Sequence, residues 1–209
     1  MPPDKQAVPA KCSHCSQPMS TPAVCDFCHS LHDIGAMTDH FTLLGLPRQY
    51  DLDPAAIRDK FLALNRHAHP DFHGQESGDV QNLSLRISSQ INDAYRTLSD
   101  PFTRAAYLLE LLGGKSSAQD KSVPDGFLST MMMLQEEIAD AKAGKDQDSL
   151  KRLREVLTKQ YQGILNRITQ LFKDHQEAVS CQAVVADVLD EIRKQVNAMS
   201  YLKKLLGQV

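Results

Sequence analysis

Residues 54–71 have the sequence PAAIRDKFLALNRHAHPD and end in the tripeptide His69-Pro70-Asp71. Apolar side chains recur every three or four residues before and after this tripeptide, which predicts two helices that each bury one face. Because proline lacks an N–H and disfavours helical geometry at the residue before it, the first helix should end there. Asp71 then lies on a stiff turn, where its carboxylate suits a paired contact with an arginine of another molecule. The two apolar stripes are Ile57, Phe61, Leu64 and Ala68, and Ile87, Ile91, Ala94 and Leu98.

This hairpin belongs to a larger helical unit, which we predict over residues 37–114. A polar loop that contains glycine should join its two helices over residues 72–82. A short apolar helix over residues 102–112 should follow and end at Gly113-Gly114. Since the apolar stripe of the first helix faces inward, its flanks and outer face carry basic side chains. These side chains are Arg58, Lys60 and Arg66.

Four of the five cysteines form two C-x-x-C pairs that are separated by nine residues. Paired knuckles of this kind place four thiolates around one tetrahedral ion. A segment as short as residues 1–36 needs such a cross-link to hold a fold. Because four thiolates close the coordination shell, we expect a structural Zn²⁺ and no catalysis by it. The predicted ligands are Cys12, Cys15, Cys25 and Cys28.

Other interpretations of the cysteines stay open. Two disulfides would suit a secreted chain, although nothing in the sequence marks secretion. A thioredoxin-like redox pair needs a βαβ context, which the pattern lacks. The spacing does not distinguish zinc from iron, and His14, His29 and His32 are near enough in sequence to compete as ligands. Cys181 stands alone, and we predict that it is a small buried side chain on a helix.

Residues 115–209 are predicted to form an antiparallel three-helix bundle, preceded by a polar linker over residues 115–124. Three apolar stripes support the bundle, with breaks at Gly144 and near Asp174-His175. The stripes are Phe127, Met131, Leu134, Ile138 and Ala141; Leu150, Leu153, Leu157, Tyr161, Ile164, Ile168 and Leu171; and Val185, Leu189, Ile192, Val196 and Met199.

Three apolar side chains lie away from these stripes. At about 100° per residue, Leu128 and Met132 lie about 90–130° from the centre of the first stripe, and Tyr201 lies nearly opposite the third. Single exposed apolar side chains are common on any protein. Together these three predict either one adaptable binding surface or a face that packs against the N-terminal helices.

Composition and charge narrow the class of protein. A formal net charge of −3 over 209 residues gives no reason to expect binding to nucleic acid or acidic membranes. No apolar run approaches the roughly 20 residues of a membrane span, and the first residues lack a signal or transit pattern. We expect a cytoplasmic protein, or a mitochondrial matrix protein if a leader has been removed. No G-x-S-x-G, P-loop or G-x-G-x-x-G motif is present, so we expect no enzyme activity.

The hairpin resembles a J-domain, with H-P-D at its loop, a basic first helix and NDAYRTLSDP over residues 92–101 of its second. More narrowly, FTLLGLP over residues 41–47 and RAAYLLELLG over residues 104–113 resemble the HscB family of iron–sulfur co-chaperones. The four-Cys segment resembles that of eukaryotic-type members. Two positions differ: Phe72 follows H-P-D where many J-domains carry lysine, and Ala68 stands where a bulky residue is common.

The resemblance implies a mechanism by contact with an HscA-type, seventy-kilodalton heat-shock ATPase. Asp71 would engage an arginine of this partner, while Pro70 would hold the loop in shape and His69 would orient the turn. The basic helix would steer an acidic surface of the chaperone onto the loop. Without the resemblance, a surface His-Pro-Asp is usually only a turn, and the basic residues are solvated charges.

The resemblance also implies a cargo. In HscB proteins the C-terminal region binds an IscU-type iron–sulfur scaffold protein, and Leu128, Met132 and Tyr201 match the contact positions. Three alternatives remain: a J-domain adaptor for another client, a small metalloenzyme that uses the four cysteines, and a protein whose Cys segment mediates self-association.

Overall fold

The computed structural model describes residues 11–34, 38–181 and 185–209. These residues are mainly helical, and their only β pairing is an isolated bridge between Val24 and Leu31. None of the helices in these ranges is long and apolar enough to cross a membrane. A short 3-10 helix, Pro70–His73, directly follows His69. The α-helices are α1 (His40–Leu44), α2 (Pro54–Ala68), α3 (Gly78–Ser99), α4 (Pro101–Leu111), α5 (Phe127–Ala143), α6 (Gln147–Ser180) and α7 (Ala186–Leu206).

This architecture confirms the predicted fold class: a mainly α protein with a helical hairpin, a C-terminal three-helix bundle and a small Cys segment. By its contacts the chain divides into two compact units, residues 1–100 and 101–209. Helix α4 packs against α7 within the second unit, whereas the sequence pattern grouped it with the hairpin. As functional domains, the limits 1–36, 37–114 and 115–209 stay a prediction.

The hairpin of α2 and α3 is held by the two apolar stripes. Ile57, Leu64 and Ala68 are buried on α2, and the aromatic rings of Phe61 and Tyr95 stack with their centroids 4.1 Å apart. The four stripe residues of α3 are also buried. The sequence predicts one buried face on each of these helices, and the structure confirms it.

Helix α3 begins five residues earlier than the sequence predicted, since its first residue is Gly78 and the loop was expected to reach residue 82. The extra turn is mostly exposed and polar, so its sequence lacks the apolar periodicity that predicts a helix. The side-chain amide of Gln81 lies in this turn and donates to the backbone carbonyls of Gly74 and Glu76, at 3.2 and 3.0 Å. These bonds close the loop against the start of α3.

Helix α1 depends on the buried carboxylate of Asp39. This group caps the helix by accepting the backbone N–H groups of Phe41 and Thr42, at 2.9 and 3.1 Å, and it accepts from Arg48 at 2.7 Å. Burial raises the pKa of Asp39, but the hydrogen bonds from Arg48 and Thr42 outweigh it and hold that pKa below its ordinary value. The carboxylate is therefore an ionised structural cap.

The bundle has a continuous apolar core, as the stripes predict, but two details of the prediction were wrong. Helix α6 does not break near Asp174-His175 and runs on to Ser180. His175 is buried, and burial lowers its pKa, so the neutral imidazole packs as part of the helix. Cys181 is exposed just beyond the end of α6, and is not the buried side chain that we expected. The core consists of Met131, Leu134, Ile138, Ala141, Leu153, Leu157, Leu202 and Leu205.

The segment before the bundle is fastened to α7. The side-chain amide of Asn197 donates to the backbone carbonyls of Asp120 and Ser122, at 3.0 and 2.8 Å. The ammonium group of Lys115 lies 2.8 Å from the carboxylate of Asp190. The predicted linker is therefore a structured part of the second unit.

The two stripes make a direct prediction about stability. We expect Leu98→Ala, which empties a fully buried position on α3, to lower the free energy of unfolding by about 2–5 kcal/mol. Leu85→Ala is the matched control, because Leu85 is an exposed leucine of the same helix and should cost no more than about 0.5 kcal/mol. Urea denaturation followed by circular dichroism measures both. Equal losses in the two variants would contradict the packing described here.

Candidate functional site

The sulfur atoms of Cys12, Cys15, Cys25 and Cys28 lie within 4.8 Å of one another. The Sγ atoms of Cys12 and Cys28 are 3.7 Å apart, and those of Cys15 and Cys25 are 3.6 Å apart. A tetrahedron of sulfur ligands about 2.3 Å from a central ion has edges of about 3.8 Å. All four cysteines are free thiols, not disulfides. The cluster therefore has the size and the donor atoms for one tetrahedral metal ion.

Two knuckles with the same backbone geometry hold these sulfurs. In each, the Sγ of the first cysteine accepts the backbone N–H of the residue two positions later: His14 donates to Cys12 at 3.3 Å, and Phe27 donates to Cys25 at 3.4 Å. Such bonds stabilise a thiolate and aim it inward. The residue four positions after each first cysteine adopts a left-handed conformation with φ of 59°. These two residues are Ser16 and His29.

The cysteines differ in how easily they ionise. Burial disfavours the thiolate of Cys12, but hydrogen bonds from the Ser30 hydroxyl and from backbone N–H groups outweigh it and lower the pKa of Cys12 to about 5. At Cys15 the backbone N–H of Gln17 favours the thiolate, yet burial and the neighbouring sulfurs raise the pKa to about 12. Four thiolates at this spacing repel one another, so the full set of ligands forms only around a cation.

Two residues outside the C-x-x-C pairs support the cluster. The hydroxyl of Ser30 lies 3.2 Å from the Sγ atoms of both Cys12 and Cys28. The Nε2 atom of His32 lies 3.3 Å from the Sγ of Cys12 and 3.2 Å from the Ser30 hydroxyl. Sequence reasoning considered His32 only as a competing ligand and missed Ser30. No spacing rule singles out a serine two residues after a cysteine.

The His69-Pro70-Asp71 turn lies where the sequence places it. Helix α2 ends at Ala68, and His69 adopts an extended conformation with φ −65° and ψ 136°. The Nδ1 atom of His69 accepts the backbone N–H of Asp71 at 3.2 Å. The side chain of Asp71 is 93% exposed. The turn therefore presents a solvated carboxylate on a backbone that His69 has fixed.

Buried hydrogen bonds hold the turn from behind. The Nε2 of His73 donates to the carbonyl of His67 at 2.8 Å, and the Ser84 hydroxyl donates to the carbonyl of Ala68 at 2.7 Å. Both His73 and Ser84 are buried. Small Ala68 lets Ser84 reach its carbonyl, while the exposed ring of Phe72 packs edge-on against His67 and His73. These contacts give a structural role to both positions where the sequence differs from many J-domains.

The predicted basic residues of α2 are all exposed, but they do not form one patch. At about 100° per residue, Arg58 and Arg66 lie about 80° apart on one side of the helix, and Lys60 lies on the other side. The ammonium of Lys60 points toward Gly45, about 4.0 Å from the position that a Cβ atom would have there. The helix geometry therefore puts the two arginines on one side of α2 and Lys60 on another.

A ring pair joins the Cys segment to α2. The imidazoles of His29 and His67 stack in parallel, with centroids 3.7 Å apart and an angle of 2° between their planes. Burial, with smaller effects of His29, Arg66 and His73, lowers the pKa of His67 below its ordinary value. His67 is therefore a neutral packing residue at neutral pH, and nothing in the sequence indicates this pairing.

The three apolar residues that lie off the bundle stripes are exposed. Leu128 is 49% exposed, Met132 71% and Tyr201 41%. Leu128 and Met132 are four residues apart on α5 and share a face. The ring of Tyr201 on α7 meets that of Phe127 edge-on, with centroids 6.1 Å apart. The start of α5 and the end of α7 thus bring these residues into one neighbourhood.

Comparisons with known proteins identify the family of this chain. A family model for the HSCB C-terminal oligomerisation domain matches residues 123–209. A co-chaperone protein HscB homolog of Neisseria meningitidis serogroup A is 32% identical over 164 residues, which are 78% of this chain and 99% of that protein. This chain belongs to the HscB family. An HscB homolog of Ralstonia nicotianae is 36% identical over 116 residues, which are 55% of this chain and 66% of that relative.

Solved HscB structures share the fold. Human co-chaperone protein HscB matches with a TM-score of 0.74 over 93% of each chain, at 23% identity, which supports a common fold. The chaperone HscB of Vibrio cholerae matches with a TM-score of 0.65 at 29% identity, over 81% of this chain and 94% of that one. The family membership that the sequence motifs indicated is confirmed, and the matched relatives are named co-chaperones.

The cluster geometry predicts a specific response to mutation. We expect Ser30→Ala to weaken metal binding by about 10- to 100-fold, because it removes the hydroxyl that supports two sulfurs. Cys25→Ser should abolish the four-sulfur spectrum of a Co²⁺-loaded sample, since it removes a ligand. Cys181→Ser is the control, because Cys181 lies outside the cluster. Competition titration with a chelator measures the affinities. A Cys25→Ser protein that keeps the wild-type spectrum would contradict the assignment of these ligands.

Proposed function

We propose that this HscB-family protein stimulates the ATPase of an HscA-type, seventy-kilodalton heat-shock chaperone and delivers an IscU-type iron–sulfur scaffold protein to it. The observation that carries the proposal is the Asp71 carboxylate, which is almost fully exposed on a turn whose backbone is fixed. A catalytic group would be expected in a pocket with a reacting partner. A rigid, solvated carboxylate is instead suited to docking on another protein.

The chemistry of docking follows from the charges at the turn. Asp71 can accept two hydrogen bonds from a guanidinium group, which is a strong and directional contact. Arg58 and Arg66 carry positive charge on α2 and would steer an acidic surface of the chaperone toward the turn. Lys60 faces another side of the helix, so it would contribute to this steering less than the two arginines.

The proposed contact site for the scaffold protein is the surface of Leu128, Met132 and Tyr201. Methionine and tyrosine suit such a surface, since one adapts its shape and the other combines an apolar ring with a polar tip. The ammonium of Lys204 lies 5.7 Å from the ring centroid of Tyr201. An apolar centre bordered by positive charge would suit a partner that presents an apolar patch beside acidic groups.

We assign the metal of the Cys segment as structural Zn²⁺. Four cysteines offer a closed shell, and zinc has no preference for geometry that would oppose a tetrahedron. Bound there, the ion supplies folding free energy to a segment that has only a small apolar core of its own, Met19 with the cysteines. Tetrahedral iron would bind the same ligands, and metal analysis of the protein as isolated separates the two.

The role of Asp71 can be tested by a change that preserves its shape. We expect Asp71→Asn to lower stimulation of the chaperone ATPase by about 10-fold or more in a single-turnover assay, because a neutral amide loses the charge-assisted contact. Asp59→Asn is the matched control, since Asp59 is an exposed carboxylate on α2 and should leave stimulation unchanged. Equal stimulation by the wild type and Asp71→Asn would refute the mechanism.

The scaffold surface can be tested by titration with a candidate iron–sulfur scaffold protein. We expect the double change Leu128→Ala and Tyr201→Ala to raise the dissociation constant by about 10-fold or more, as removal of central apolar anchors does. Val156→Ala is the control, because Val156 is an exposed apolar residue of α6. If the double variant kept full affinity, the scaffold protein would have to bind at another surface. A protein that binds the chaperone but no scaffold would favour an adaptor for another client.

A further inference from the structure

A groove of about 670 Å³ lies between the Cys segment and the outer face of α2. Residues 24–26 and His29 form one wall, and residues 62–67 form the other. The first wall belongs to the second metal knuckle, and the second wall includes Arg66. The groove is therefore bordered on one side by the proposed metal centre and on the other by the basic helix that ends at the Asp71 turn.

The two walls are fixed to each other. The stacked rings of His29 and His67 join them directly, and Arg86 on α3 pairs with Asp33 of the Cys segment at 3.1 Å. Within the knuckle, Asp26 accepts hydrogen bonds from the backbone N–H and the hydroxyl of Ser20, both at 2.7 Å. The groove is thus formed before any partner arrives, and its carboxylate already has partners within the chain.

One large apolar side chain of the groove wall is exposed, and so is a second one that follows a wall residue in the chain. Leu62, on the α2 wall, is 50% exposed, and Phe27, next in the chain to the wall residue Asp26, is 60% exposed. An exposed phenylalanine and an exposed leucine offer apolar surface that a partner can cover. Arg66 adds positive charge on the α2 wall. The occupant that fits is an apolar segment with acidic groups beside it.

We infer that this groove is a second part of the chaperone-docking surface, and that the ATPase which receives Asp71 also covers Phe27 and Leu62. The inference rests on the proposed function. It follows from continuity, because Arg66 belongs both to the groove and to the helix that leads, five residues later, to Asp71. The Cys segment would then be a recognition element and not only a folded appendage.

Other occupants fit less well. A symmetric contact between two copies of this chain that is centred on Arg66 would bring this residue toward its own counterpart, where like charges repel. The family model that mentions oligomerisation matches residues 123–209, which do not include this groove. The apolar surface proposed for the scaffold protein lies on α5 and α7, in the other compact unit.

The test is a titration of the full-length, metal-loaded protein against the chaperone ATPase. We expect Phe27→Ser and Leu62→Ser each to raise the concentration for half-maximal stimulation by about 3- to 10-fold, as loss of an apolar contact does. Maximal stimulation should stay near that of the wild type, because Asp71 is intact. Leu85→Ser, an exposed leucine on α3, should change neither quantity. Serine at position 27 keeps the backbone N–H that donates to Cys25, and a Co²⁺ spectrum verifies the cluster.

A second measurement needs no variant. Hydrogen–deuterium exchange of the wild type should slow in residues 24–29 as well as in residues 62–73 when the chaperone binds. The inference would be overturned if exchange slowed in residues 62–73 alone. It would also be overturned if both serine variants had the same half-maximal concentration as Leu85→Ser. Failure of the proposed function is distinct: the wild type would not stimulate the ATPase, or Asp71→Asn would stimulate it equally. If stimulation depends on Asp71 but is unchanged by Phe27→Ser and Leu62→Ser, only this inference fails and the proposed function stands.

Discussion

Two buried hydrogen bonds at the end of α2 determine where the exposed turn lies. The Ser84 hydroxyl donates to the carbonyl of Ala68, and the Nε2 of His73 donates to the carbonyl of His67. A helix that ends at a proline leaves its last carbonyls without backbone partners, and each buried carbonyl left unsatisfied costs about 1–3 kcal/mol. Ser84 on α3 and His73 on the 3-10 helix donate the hydrogen bonds that these two carbonyls would otherwise lack. Asp71 is thereby fixed in position, although its own side chain has only solvent around most of it.

The Cys segment depends on a different interaction. Four sulfurs 3.6–3.7 Å apart in pairs need a cation between them, and the knuckles that supply them place His29 against His67. A metal ion that has no open coordination position can therefore influence function through shape alone. Bound there, it would hold one wall of the groove beside α2, and in the proposed function the chemistry of ATP hydrolysis belongs to the partner.

Much of this could be predicted from the sequence, since stripes and spacings report local geometry. The hairpin, the bundle and the four-Cys cluster all follow from intervals of two to four residues. The predictions that failed concern features that depend on contacts between residues distant in the sequence. The polar pair Asp174-His175 looked like a break, yet α6 continues because His175 is buried in its own bundle. Cys181 was expected in the core, but it lies past the helix end and is exposed. The support from Ser30, and the pairing of His29 with His67, have no signature in sequence spacing.

We propose that a fixed turn, and not merely an exposed Asp71, makes the contact with the chaperone. The most direct measurement is an ATPase titration with Ser84→Ala, which removes a buried hydrogen bond behind the turn and leaves every exposed residue of the proposed surface unchanged. We expect the concentration for half-maximal stimulation to rise by about 5-fold or more, while circular dichroism shows the helices intact. Stimulation identical to that of the wild type, together with faster amide exchange in residues 69–73, would contradict it.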